Sequence, residues 1–211
     1  DCYSVNHHHE DDLIIQAQKA TNGKDSLENE VLAVGEYLTD MVKGSPKNTK
    51  HLIVKSNHNE ALDRYLKEGR FIKDPRNIVF ASKLMANAVS EERDNLEYAV
   101  ELAYGRIPEQ VKFIPVDQEY KIKGIQLSSH GHKGPKGARG NVRNLETSFG
   151  KGMFGHFHSP EIFRDIWVVG TSTYLNLDYT KGFPSDWIQG HGIVHPNGKP
   201  QLINIIEGQY R

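Results

Sequence analysis

Three short apolar runs in this chain each end at a polar cluster containing histidine, and this arrangement restricts the fold more than any other feature. His51-Leu52-Ile53-Val54-Lys55 runs into Ser56-Asn57-His58-Asn59. Residues 120–127 run into Ser128-Ser129-His130, and Met153-Phe154 runs into Gly155-His156-Phe157-His158. Runs this short, rich in aliphatic residues and bounded by polar or glycine-containing segments, read as buried strands. In α/β sheets, ligand sites lie beyond the carboxyl ends of strands, where the next loop or helix begins. A sheet would therefore gather clusters that stand far apart in sequence. The expectation is one α/β domain over residues 1–211 with mixed sheets.

The remaining pattern agrees with that class. Ser26 is placed to cap a helix carrying Leu27, Val31, Val34, Leu38 and Met41 at helical spacing, ending at Gly44-Ser45-Pro46. Asn59 is placed to cap another carrying Leu62, Tyr65 and Leu66. A helical segment spans about 60–105, with residues 76–104 apolar on one face. Strands are expected at 111–116, 120–127, 162–170, 192–195 and 202–206, the last two joined by the turn Pro196-Asn197-Gly198-Lys199. Residues 1–25 are polar apart from Leu13-Ile14-Ile15, and residues 131–152 read as a basic, glycine-rich loop.

Composition narrows the function classes. The 211 residues include 26 basic and 27 acidic side chains, a formal net charge of -1, which excludes a generally basic nucleic-acid-binding surface. Affinity for polyanions must then come from a local patch or from bound metal. The single cysteine, Cys2, excludes an internal disulfide framework and fits a reducing compartment. No apolar run approaches the ~20 residues that span a bilayer, so no membrane partner is expected. The first residue is Asp1 rather than Met, which reads as a missing N-terminus.

The 11 histidines fall largely into four groups, at 7–9, 51–58, 130–132 and 156–158. Neutral imidazoles together with the Asn57 amide oxygen suit Mn, Fe or Zn better than Ca or Mg. Lys133, Lys136, Arg139 and Arg143 lie between two of the histidine clusters, where they would meet phosphates flanking a reacting one; the alternative is a solvated loop. Glycines at 131, 134, 137 and 140 leave backbone N–H groups able to face an anion. His7-His8-His9 reads as a loop near the site. His191 and His195 read as structural residues on strands. Tyr174, Tyr179, Phe183 and Trp187 read as packing at the edge of the final sheet.

Taken in order, Ser56-Asn57-His58-Asn59, Ser129-His130-Gly131-His132 and Gly155-His156-Phe157-His158 resemble three of the five signature blocks of the calcineurin-like metallophosphoesterases. The continuation Ser159-Pro160 and the segment Trp167-Val168-Val169-Gly170-Thr171-Ser172 are also similar to that family's closing portion. The resemblance covers roughly residues 50–60 and 120–206. The basic loop and the stretches 182–187 and 198–206 resemble the phage branch, the pre-early host-DNA-degrading nucleases of large tailed phages.

This resemblance implies a four-layer α-β-β-α sandwich with two mixed sheets, its first strand and Asp-x-His block lying upstream. It implies two divalent ions, Mn foremost with Fe or Zn as alternatives. Asn57, His130 and His156 would hold one ion, His158 would reach the second, and Asp1 is the candidate bridging acid. His58 would protonate the leaving oxygen, and His132, Lys133, Lys136, Arg139 and Arg143 would contact substrate. Two ions ~3.5–4 Å apart polarise a phosphoryl group and activate water for in-line attack. The implied partner is DNA, with homo-oligomerisation open, and the implied place is the cytoplasm of an infected bacterium. Two departures stand out: Ser56 replaces the usual Gly, and Asn59 replaces the acid that follows the histidine. A phosphatase or small-molecule phosphodiesterase on the same site is the alternative among enzymes. A non-catalytic DNA-binding or assembly module is the alternative outside them.

Overall fold

The computed structural model describes residues 2–90, 93–177, 182 and 184–210. Asp1, a candidate ligand, and Tyr179 and Phe183, read as packing residues, lie outside them. The chain is mixed α/β and divides into two compact units, Asp1–Pro115 and Val116–Arg211.

The first unit is mainly helical. It contains α1 (Leu13–Thr21), α2 (Leu27–Lys43), β1 (His51–Val54), α3 (Glu60–Lys67), α4 (Ile78–Ser90), α5 (Asn95–Tyr104) and β2 (Val111–Ile114). Ser26 caps α2 as its sequence predicts, its side chain accepting from Asn29 N. Leu27, Val31 and Leu38 of α2 then enter a core with Leu62 and Leu66 of α3, Phe80 and Leu84 of α4, and Leu96 and Val100 of α5. β1 pairs with β2 in parallel, His51 opposite Val111 and Val54 opposite Ile114.

One stretch without an assigned element is helical, and one expected cap is absent. Leu13-Ile14-Ile15 begins helix α1, whose first turn is capped by Asp12 accepting from Ile14 N and Ile15 N. Asn59 precedes α3 without a side-chain cap bond, because Ser56 Oγ engages its side-chain oxygen at 2.8 Å.

The second unit carries β3 (Lys121–Ile122), β4 (Ile125–Gln126), α6 (Val142–Phe149), β5 (Gly152–Phe154), β6 (Glu161–Phe163), β7 (Ile166–Val168), β8 (Gln189–Val194), β9 (Pro200–Ile206) and β10 (Gln209–Tyr210). One sheet runs β3-β4-β5-β7-β6 and another β10-β9-β8. The stretch 120–127 is a hairpin rather than one strand. Lys123 and Gly124 both take positive φ, 52° and 79°, as the tight two-residue turn between antiparallel strands requires. The glycine-rich segment also contains α6, which buries Leu145 against Phe154, Ile166 and Val168. No helix among the described residues is long and apolar enough to cross a membrane.

Candidate metal and phosphate site

In the first unit the segment after β1 is fastened by charge. Lys55 Nζ lies 2.6 Å from an Asp63 carboxylate oxygen and 2.7 Å from one of Asp94, and all three side chains are largely buried. Burial alone would lower the Lys55 pKa, but the hydrogen bonds that Lys55 donates to both carboxylates raise it. Asp94 also caps α5 through Leu96 N and Glu97 N, and Asn95 Nδ2 donates to Asp63 at 2.8 Å. The residue just before Ser56-Asn57-His58 is thus fixed to α3 and to the start of α5. Sequence reading passed over this lysine; a cation closing an apolar strand directly before a polar loop was the available signal.

On that support, Asn57 Oδ1 is buried and has no hydrogen-bond partner among the described residues. Leaving a buried amide oxygen unsatisfied costs roughly 1–3 kcal/mol, and a cation ligand is one group that would satisfy it. His58 is half-buried, and desolvation holds its imidazole below the usual histidine pKa. His7–His9 forms a 3-10 turn packed against α3, with His7 Nδ1 and His9 Nδ1 buried and lacking hydrogen-bond partners among the described residues.

In the second unit the strand register does the gathering. β4 and β5 are parallel neighbours with Gln126 opposite Gly152, and His130 and His156 each lie four residues beyond those paired positions. They therefore leave the sheet at the same level. Their ring centroids are 5.3 Å apart, and His132 lies 5.6 Å from His130 and 6.1 Å from His156. Glycines permit this proximity. At Gly131, with φ +103°, an added Cβ would fall 3.2 Å from Phe154 Cβ, and one at Gly155 would fall 3.4 Å from His130 Nδ1. His156 itself has φ +68°, an uncommon conformation for a residue with a side chain and one that clusters at functional sites.

His158 takes a different neighbour. Its ring stands 3.9 Å from that of Trp187, at 87°. Trp187, read from sequence as packing at the edge of the final sheet, lies two residues before β8 and also contacts His158, a candidate metal ligand. Tyr174, given the same reading, is 83% exposed and packs no sheet edge. His195 pairs across the β8–β9 hairpin with Gln201 at 2.8 Å, and His191 is exposed on β8.

Lys133, Lys136, Arg139 and Arg143 are all exposed. The loop that carries the first three is closed by a Lys133–Arg139 bridge, by Gly134 N donating to Ala138 O at 2.7 Å, and by Gly140 N donating to His132 O at 2.9 Å. Its base is thus tied directly to the histidine group. Arg143 lies on α6 with its guanidinium 5.0 Å from the Phe163 ring centre.

Among the described residues, no three His, Cys, Asp or Glu side chains converge as a ready-made metal cage. The second unit gathers an imidazole trio beyond the carboxyl ends of β4 and β5 and sets a further imidazole against an indole; the first unit, by itself, has a buried amide oxygen without a hydrogen-bond partner among the described residues. These donor types suit borderline divalent ions.

The fold and site define a mixed α/β chain with clustered imidazoles at strand ends. No protein-family model matches the chain, and no solved structure matches it. It is similar to Protein A1 of Escherichia phage T5, with 31% identity over 218 aligned residues. The match covers 100% of this chain and 38% of Protein A1, so the chain spans well under half the length of that relative.

Proposed function

We propose that this chain carries the catalytic histidines of a two-metal phosphodiesterase acting on DNA, folded as the four-layer sandwich of the metallophosphoesterases. The observation that carries this reading is the β4–β5 register, which brings His130 and His156 off adjacent parallel strands at one level with their rings 5.3 Å apart. The unsatisfied Asn57 amide oxygen supports it. Similarity to a protein of phage T5 supports a phage setting, hence action in the host cytoplasm.

In this reading, as the family resemblance implies, Asn57, His130 and His156 would hold one ion, His158 would reach the second, and Asp1 is the candidate acid bridging them. Mn is the expected metal, with Fe or Zn as alternatives. Bound ions supply Lewis acidity and an acidified water. His58 delivers a proton to the leaving oxygen, a step worth ~10²–10⁴-fold. Lys133, Lys136, Arg139 and Arg143 hold neighbouring phosphates with His132 beside them, which favours a phosphodiester chain over a small monoester.

A second reading, a DNA-binding module without catalysis, is favoured by the lack of a ready-made cage among the described residues and by Asn59 in place of an acid.

The test compares bis-aryl with mono-aryl phosphate hydrolysis by chelator-treated protein before and after Mn²⁺ is restored. The expected outcome is Mn-dependent turnover that prefers the bis-aryl ester and falls at least ~10²-fold in His58→Ala. Preference for the mono-ester would give the site to a phosphatase, and absence of turnover on both esters would favour the binding module.

A further inference from the structure

The His7–His9 turn of the first unit is held at both ends. Ahead of it, Arg70 Nη2 donates to Val5 O at 3.1 Å, and at its end Gln16 Nε2 donates to His9 O at 2.7 Å. The Asn6 side chain accepts from His8 N at 3.1 Å. The half-buried His7 ring lies against the exposed His8 ring, with centres 3.8 Å apart.

Where this turn meets α3, the charges do not balance. Arg70 is matched, by Glu10 at 3.2 Å and by Glu68 at 3.1 Å. The half-buried Arg64 of α3 has no carboxylate partner among the described residues, and its Nε is buried without a hydrogen-bond partner there. His7 Nδ1 is buried and unbonded in the same way. The two groups feel one another. After burial, the Arg64 guanidinium is the next cause holding the His7 imidazole below the usual histidine pKa, and Glu68 opposes it least.

A charge drawn out of water ordinarily has a partner of opposite sign. A guanidinium forks onto two oxygens of a phosphate, and a neutral imidazole in its Nδ1–H tautomer donates one bond more. We propose that Arg64 and His7 form a phosphate-binding site in the first unit, taking either free phosphate or a backbone phosphate of a nucleic acid. The site goes beyond the two-metal reading, because it needs no ion.

Calorimetric titration of the chelator-treated protein tests it, with inorganic phosphate in one arm and a thymidine dinucleotide, which carries a single phosphodiester, in the other. Saturable binding without added metal is the expected result, and the arm that binds identifies the source. Arg64→Gln is expected to weaken that binding at least ~10-fold, for the loss of a charged donor, and His7→Ala about 5-fold. Arg106→Gln removes an exposed arginine paired with Glu109 in the same unit and leaves the affinity unchanged. Should Arg64→Gln fail to fold by circular dichroism, the wild-type His7 ring resonances carry the test, shifting saturably with the bound ligand. No binding in either arm, or equal affinity in wild type and the folded variants, would overturn the site. Mn²⁺-dependent ester hydrolysis is read separately, so either proposal can fail without the other.

Discussion

Cys2 is 1% exposed, and its thiol pKa is pushed up to about 12, first by burial and then by the Glu30 carboxylate. Glu30 is held there by backbone N–H donors, Tyr3 N at 2.6 Å and Ser4 N at 3.0 Å. Because the folded pKa exceeds the ordinary value of 9.0, the protonated thiol adds stability below about pH 9 that is lost as pH rises towards 12. Thiolate is the reactive form, so native protein at pH 8 is expected to resist an aromatic disulfide reagent, with one thiol titrating after urea is added. Rapid labelling of the native protein would contradict the burial. The candidate site divides at this same scale. Asn57, His58, His130, His156 and His158 were legible because each follows an apolar strand. The hold that Lys55, Asp63 and Asp94 exert on the first cluster was not, since its carboxylates come from α3 and from the residue capping α5. The contact of Trp187 with His158 was not legible for a similar reason: it is made by folding, and the local sequence around Trp187 resembles any strand edge.

Among the elements, α2 and α5 are closely fitted at Gly35. An added Cβ at Gly35 would lie 2.6 Å from Tyr104 Cβ. Alanine is ordinarily better than glycine inside a helix by about 1 kcal/mol, but here overpacking, typically 1–3 kcal/mol, opposes that gain. Gly35→Ala is therefore expected to lower urea stability by up to about 2 kcal/mol. In the Tyr104→Ala background the same change is expected to be neutral or stabilising, and equal effects in both backgrounds would contradict the contact. Helix α2 was readable because Ser26 and the apolar spacing agree with its tertiary role. Helix α6 was missed because it is a short helix inside a glycine-rich basic stretch, with Leu145 its one fully buried residue. Its Asn141 cap on Asn144 N was the available signal. The β3–β4 hairpin was hidden by Lys123, whose positive φ no pattern of hydrophobicity announces. The β4–β5 register lies beyond sequence reading for a comparable reason. Each strand's pattern is local, while its alignment with a neighbour depends on the chain between them.

For the whole molecule, a formal charge of -1 leaves the exposed Lys133, Lys136, Arg139 and Arg143 as a local rather than general cationic feature. In the proposed reading, DNA binding through such a patch is salt-sensitive, and catalysis would need the histidines as well. The most direct measurement is Mn²⁺-dependent digestion of linear and circular duplex DNA by the protein, beside His58→Ala. Loss of both DNAs with wild type alone is the predicted result, and loss of linear DNA alone would assign exonuclease action to the same site. Intact DNA in every lane, with Mn²⁺ present and the protein folded, would contradict the claim that this chain belongs to a nuclease.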